Sequence, residues 1–458
     1  MANFSKSNVP QFSVEVYQNE FLPEGGREVN AIVTVTSTGG GTSGGIPLTG
    51  AAASPSSIPN GSTNAAVVLM VDCSGSMDYP PTKMRNARDA TAAAIDTLRD
   101  GTAFAVVSGT HVANEVYPGG GRLAVADATT RAQAKEALRR LGAGGGTAIG
   151  TWLRLADRLL HSESTASLGS GGIRHGILLT DGRNEHESPE DLRAALDACA
   201  GRFTCDARGV GTDWEVKEVT GIASALLGSA DIVADPSGLA ADFTQMMENA
   251  MGKEVADVAL RLWTPVGVEI RFVKQVAPTV EELTGRRSEA GPRAGDYPTG
   301  SWGDESRDYH VCVQVPQASV GQEMLAARVS LIVPDPAGGT PQTLSQGLVR
   351  AVWTDDMAAS TSINPQVAHY TGQAELAQVI QQGLDARKSG DIDGATAKLG
   401  RAVQLAAASG NDDTAKLLAK VVDVVDEATG TVRLKAKVAE ADEMTLETRS
   451  TKTVRVKK

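Results

Sequence analysis

Residues 65–71 read Ala-Ala-Val-Val-Leu-Met-Val, an apolar run with no polar interruption, and the run stops at Asp72. A strand with one wet face would alternate. A run that is apolar at every position fits a strand covered on both faces, as in a parallel sheet between two helical layers. The next residues, Asp72-Cys73-Ser74-Gly75-Ser76, read as a turn leading into a helix. In open α/β sheets, ligands bind just beyond the carboxyl ends of the strands. The Asp72 carboxylate and the Ser74 and Ser76 hydroxyls, at alternating positions, can face one point there. Such oxygens suit a hard divalent cation, Mg2+ or Mn2+. Asp and Ser also favour turns for local reasons, so D-x-S-x-S alone is a weak signal.

Two further segments strengthen it. Gly144-Gly-Gly-Thr147-Ala-Ile-Gly150 offers a third hydroxyl from a glycine-rich loop, followed by the helix-like 151–160. Gly176-Ile-Leu-Leu-Thr-Asp181-Gly182 is a second apolar strand ending in an Asp-Gly turn. The three motifs, D-x-S-G-S-M, G-G-T-x-x-G and T-D-G in this order, resemble the von Willebrand factor type A (VWA) family and its metal-ion-dependent adhesion site. The resemblance runs from about Asn64 to Gly252. It implies that Ser74, Ser76 and Thr147 ligate the metal directly, and that Asp72 and Asp181 act directly or through water. The expected ion is Mg2+, with Mn2+ or Ca2+ as alternatives. Three neutral hydroxyls would leave it electrophilic, with a position open for an Asp or Glu of a partner protein, a charge-assisted contact stronger than a surface salt bridge.

That is a binding device. Hydrolytic centres more often use His and carboxylate ligands to activate water, and none of the three motifs contains His. His186, five residues beyond Asp181, is expected in the loop before a helix capped by Ser188 with Pro189 at its first position, and not as a site residue. Asp78 reads as a solvated loop acid. The chain has no H-E-x-x-H, and no Gly-Lys-Ser/Thr follows the glycines at 142–150. The expected function is therefore non-enzymatic: an intracellular, metal-dependent scaffold or adaptor. An accessory VWA subunit of an AAA+ ATPase, as in chelatases, is the alternative, and a metal-dependent hydrolase is the third reading.

The 458 residues suffice for two to four domains. Aromatics make up only 4%, so Ala, Val and Leu must fill the cores. The formal charge of −12 argues against general nucleic-acid binding, which needs basic patches. The first residues lack an apolar core, so no signal peptide is expected, and no apolar stretch is long enough to span a membrane. The cysteines, Cys73, Cys199, Cys205 and Cys312, form no C-x-x-C pair and read as buried thiols. A cytoplasmic location follows as the expectation.

Around the VWA-like segment (64–253) the pattern changes. Residues 11–17 and 31–36 alternate at period two and read as two strands within an N-terminal segment, 1–37, with a flexible Gly/Ser-rich linker at 38–63. Beyond the VWA segment, residues 255–264, 268–275, 307–315, 324–333 and 348–354 read as strands of an antiparallel β-sandwich, 254–358. The N-terminal strands are expected to return to it, so that the doubly wound, mainly parallel VWA sheet is inserted in the sandwich. Residues 359–430 read as a bundle of three amphipathic helices, the third marked by Leu417, Leu418, Val421, Val422 and Val425. Residues 431–458 read as a loose tail. Its last ten residues carry five basic and no acidic side chains. Thr451 or Thr453 there, once phosphorylated, would suit a phosphothreonine-binding partner.

Overall fold

The computed structural model describes residues 10–38, 64–169, 171–335 and 339–456. The expected linker therefore lies almost wholly outside the described residues.

The apolar run becomes the strand Ala65–Asp72 in the middle of a mixed sheet. Its neighbours Ala103–Gly109 and Ile173–Thr180 both run parallel to it, followed outward by Thr204–Val210 and Ala230–Val233, also parallel. One edge is antiparallel, formed by Ala113–Tyr117. The strand shares its side chains between two cores. Ala66, Val68 and Met70 pack under the helices Ile149–Leu160 and Val216–Ala225, while Val67, Leu69 and Val71 pack under Thr82–Thr97 and Leu239–Met251. This two-sided burial is the reason for the unbroken apolar run.

The second body is a sandwich of two largely antiparallel sheets. One has the order Gln11–Gln18, Glu28–Thr38, Glu305–Gln314, Glu269–Ala277, Glu281–Glu282. Glu28–Thr38 pairs with Glu305–Gln314 from Glu28↔Gln314 to Ser37↔Glu305, so the N-terminal strands return across the inserted VWA sheet. The other sheet carries Val255–Trp263, Ala294–Trp302, Glu323–Val333 and Gln342–Trp353. Trp302, Tyr309 and Trp353 fill the space between them. Ala294–Trp302 is absent from the sequence expectations. Its Gly295, Pro298 and Gly300 read as punctuation, yet side chains of the opposite sheet cover it.

Helices follow: Pro365–Lys388, Ile392–Ser409 and Asp412–Val421. Two expectations are corrected here. The third helix stops at Val421, and Val422–Asp426 pairs with Thr431–Leu434 as a hairpin. Val422, Val424 and Val425 are β-branched, stiff in a helix and favoured in a strand. The tail is not loose. Residues Glu440–Arg449 form a helix, and Arg449, Lys452 and Arg455 find carboxylates on both bodies. Arg449 Nε and Lys452 Nζ lie 2.8 and 2.6 Å from Asp231, and Arg455 lies 2.9 Å from Asp308. The Thr453 hydroxyl donates to the Val276 carbonyl at 2.7 Å, and the Thr451 carbonyl accepts from Val280 N–H at 2.8 Å. Both threonines are half-buried parts of a docked segment, which removes the premise of an accessible phosphothreonine.

Candidate metal centre

Three loops meet at the carboxyl end of the central strands. Asp72 closes the first strand and is fully buried. Its Oδ1 accepts from Ser74 N–H at 2.8 Å and its Oδ2 from the Thr180 hydroxyl at 2.7 Å. Burial pushes its carboxyl up to about 6, against the opposing pull of the Ser74 and Thr180 hydrogen bonds. With both oxygens engaged by protein donors, Asp72 is arranged to orient Ser74 and the second strand end. Beyond it, Met77 is buried in the core and holds the Gly75–Asp78 turn down. Asp78 itself is exposed.

Backbone hydrogen bonds tie the first loop to the second. Gly144 N–H donates to Cys73 O at 2.8 Å, and Gly75 N–H to Gly145 O at 2.9 Å. The third loop braces the second. The helix Ile149–Leu160 has Ala148 at its N-cap, which offers no side-chain acceptor. Asn184 and Glu187 substitute for it, accepting from Ile149 N–H at 2.7 Å and Gly150 N–H at 2.9 Å. This satisfies two of the orphan donors of a helix start and places negative charge at its positive end.

The hydroxyls converge. Ser74 Oγ and Ser76 Oγ are 2.9 Å apart, and the Ser76 hydroxyl donates to Asp181 Oδ1 at 2.7 Å. Thr147 comes in from the second loop. Gly182 reports the geometry best: a methyl group there would stand 3.0 Å from Ser76 Oγ, 3.6 Å from Thr147 Oγ1 and 3.9 Å from Ser74 Oγ. Three hydroxyl oxygens thus surround one small space that only a residue without a side chain leaves open. It sits in a cavity of about 390 Å³. Oxygen-only donors, two buried carboxylates behind them and room for an ion fit a hard divalent cation. Among the described residues, no three His, Cys, Asp or Glu side chains gather as a metal site.

The structure also supplies residues that the sequence did not flag. Lys83, buried at the start of the helix Thr82–Thr97, reaches Asp181 Oδ2 at 2.7 Å and Asp213 at 3.3 Å. Burial alone would lower its ammonium, but the two carboxylates outweigh burial and the net shift is upward. Thr180, Asn184, Glu187 and Asp213 act in the same ring of support. His186, set aside in the sequence, lines the cavity: its Nδ1 lies 3.3 Å from Thr147 N–H, and a side chain at Gly146 would collide with the imidazole at 2.2 Å. Lys83 and Asp181 are far apart in sequence, so spacing could not link them. Ser188 caps the following helix, accepting from Asp191 N–H at 3.1 Å, with Pro189 at its first position. Cys73 is buried, and burial with the neighbouring Asp72 pushes its thiol up to about 12.

Among the described residues, no helix is long and apolar enough to cross a membrane. A family model described as von Willebrand factor type A domain matches residues 67–183, and one for the von Willebrand factor type A C-terminal domain matches residues 404–450. No curated protein matches the chain. A solved structure described as von Willebrand factor type A from Catenulispora acidiphila is 51% identical, with 100% of this chain and 99% of that chain covered and a TM-score of 0.88. The ArnB paralog VWA2 from Sulfolobus acidocaldarius has a TM-score of 0.56 at 13% identity, with 98% of this chain and 100% of that chain covered. The human COPII-coat protein Sec24c has a TM-score of 0.52 at 9% identity, with 85% and 57% covered. The last two show the fold alone. The motif segment, the three loops it builds and full-length similarity to the Catenulispora protein place this chain in the von Willebrand factor type A family.

Proposed function

We propose that this chain is a metal-dependent protein-binding module, an intracellular scaffold or adaptor rather than an enzyme. The VWA domain is generally a protein-interaction module, and the finer reading rests on one observation: Ser74, Ser76 and Thr147 surround the open space at Gly182, with Asp72 and Asp181 buried behind them. In this reading Ser74, Ser76 and Thr147 hold Mg2+ (or Mn2+ or Ca2+), Asp181 contributes through Oδ1, and Asp72 acts through its hydrogen bonds. A divalent cation held there supplies positive charge with an unfilled position to the Asp or Glu of a partner.

Each residue's part follows from its environment. Ser76 is exposed while Ser74 and Thr147 are buried, so the site opens towards solvent on the Ser76 side. Lys83 neutralises one of the two carboxylate charges, leaving the centre more electropositive than an uncompensated Asp pair would. That favours capture of an anion over tight enclosure of the ion.

The test is equilibrium binding of Mg2+ and Mn2+, followed by capture of partners from native lysate with magnesium or chelator. We expect Asp72→Ala combined with Ser74→Ala to lose the metal, and the partner to be lost in both the variant and the chelated sample. Metal binding that survives the double substitution would sink the reading. A partner retained in both would move the interface to the sandwich or the helices, and an ATPase among the captured proteins would favour the machine-subunit alternative.

A further inference from the structure

The cavity over the centre is not lined by the VWA loops alone. Ser74, Ser76 and Thr147 share it with Glu440, the first residue of the C-terminal helix Glu440–Arg449. That helix is fixed to the VWA body by Met444, which is buried in the same core as Trp152 and Ile222, and by the Arg449 and Lys452 contacts to Asp231.

The other acids of the helix are matched by cations. Asp442 pairs with Lys420 at 2.9 Å, Glu443 with Arg387 at 3.4 Å and Glu447 with Lys388 at 2.7 Å. Glu440 is exposed and has no ion-pair or hydrogen-bond partner among the described residues. It lines the same cavity as Glu185, Asp213 and Arg183; Asp213 is held by Lys83 and Arg183 by Glu215, so Glu440 is left without a protein counter-charge beside the three hydroxyls. A carboxylate that the protein leaves unpaired at the mouth of an oxygen-lined cavity is free to serve as a ligand to a hard cation there.

We propose that Glu440 is an internal carboxylate ligand for this centre, so that the C-terminal helix and an acidic partner compete for one position. The inference rests on the cation reading above. It ties the C-terminal module to the adhesion surface: partner binding requires Glu440 to leave, and a protein without cation holds the start of the helix less firmly.

The experiment uses the full chain and Mn2+ as probe. Free Mn2+ is read by electron paramagnetic resonance, and water on bound Mn2+ by proton relaxation. Wild type, Glu440→Gln, Glu185→Gln and Asp72→Asn are compared. Glu185→Gln removes the same charge from the same cavity and controls for electrostatics alone. We expect Glu440→Gln to weaken Mn2+ binding about tenfold, the loss of one charged contact, and to raise the relaxation per bound ion as water takes the vacated place. Glu185→Gln should leave the relaxation unchanged. Equal affinity and relaxation in wild type and Glu440→Gln, with Asp72→Asn impaired, would overturn the role of Glu440 and leave the cation site standing. Failure of the wild type to bind Mn2+ would overturn both.

Discussion

Replacing Lys83 by methionine keeps a long apolar stem and removes the ammonium beside Asp181. The pair is buried, with side chains 9% and 0% exposed and 2.7 Å between Nζ and Oδ2. Breaking such a pair from one side costs about 3–5 kcal/mol, because the remaining charge stays buried without a counter-ion. Asp181 keeps the Ser76 hydroxyl bond, and the second Lys83 contact goes to the exposed Asp213, which adds little. The lower end, about 3 kcal/mol, is therefore expected. For a unit the size of the VWA body, roughly 2–4 °C accompany each kcal/mol, giving a fall of about 6–12 °C in Tm. Scanning calorimetry of wild type and Lys83→Met in chelator reads this directly. In saturating Mg2+ the deficit should shrink, because a bound divalent charge replaces the ammonium as the counter-ion of Asp181. A Tm within about 1 °C of wild type in chelator would refute the buried-pair argument. A deficit that is the same with and without Mg2+ would refute the shared counter-ion.

Three further outcomes are expected. Gly182→Ala should abolish Mn2+ binding in a calorimetric titration while leaving far-ultraviolet dichroism unchanged, since its methyl enters the space between the three hydroxyls; retained affinity would show that the ion lies elsewhere. His310 is buried and beside Lys274, and burial first, then that charge, lowers its imidazole to about 4. Its folded value lies below the unfolded one, so the folded chain excludes a proton that the unfolded chain binds. Above pH 6.5 the imidazole is neutral in both states and adds no pH dependence. As pH falls from 6.5 towards 4 the unfolded chain takes up the proton and the fold loses up to about 3 kcal/mol; denaturant titrations of His310→Gln should show a flatter slope across that window, and an unchanged slope would count against it. Asp231→Asn removes the negative charge that pairs with both Arg449 and Lys452 and replaces one of its two acceptor oxygens by a donor. Amide exchange should quicken across residues 440–449 and stay slow in the Ala65–Asp72 strand, whereas uniform exchange would show that the helix is held by Met444 and its neighbours alone.

The parallel core was legible because a run such as 65–71 has few other places to be stable, and the loop after it inherited its position from the strand. Asp72, Ser74 and Ser76 lie within five residues, so strand and turn geometry brings them together once the sheet exists. The strand Ala294–Trp302 was hidden because Gly and Pro mark turns locally, while pairing on both edges overrode them. The Val422–Asp426 hairpin was hidden for the opposite reason: its apolar spacing also fits a helix, and the β-branched valines decided otherwise.

Sequence by itself determined what is local or periodic: the two-faced strands, the turn that follows Asp72, and three hydroxyl-bearing segments that a parallel sheet must bring to one edge. Tertiary structure alone decided which charges meet. Lys83 finds Asp181, Asn184 and Glu187 cap a helix that lacks its own acceptor, and the basic C-terminal residues settle on Asp231 and Asp308. Glu440 comes to line the cavity over the centre by the same route, since its place depends on how the last helix docks. Periodicity constrains which face of an element is buried, but the choice of a counter-charge is made by distance in the folded chain, where a buried carboxylate must be matched by whichever donor lies within hydrogen-bond reach.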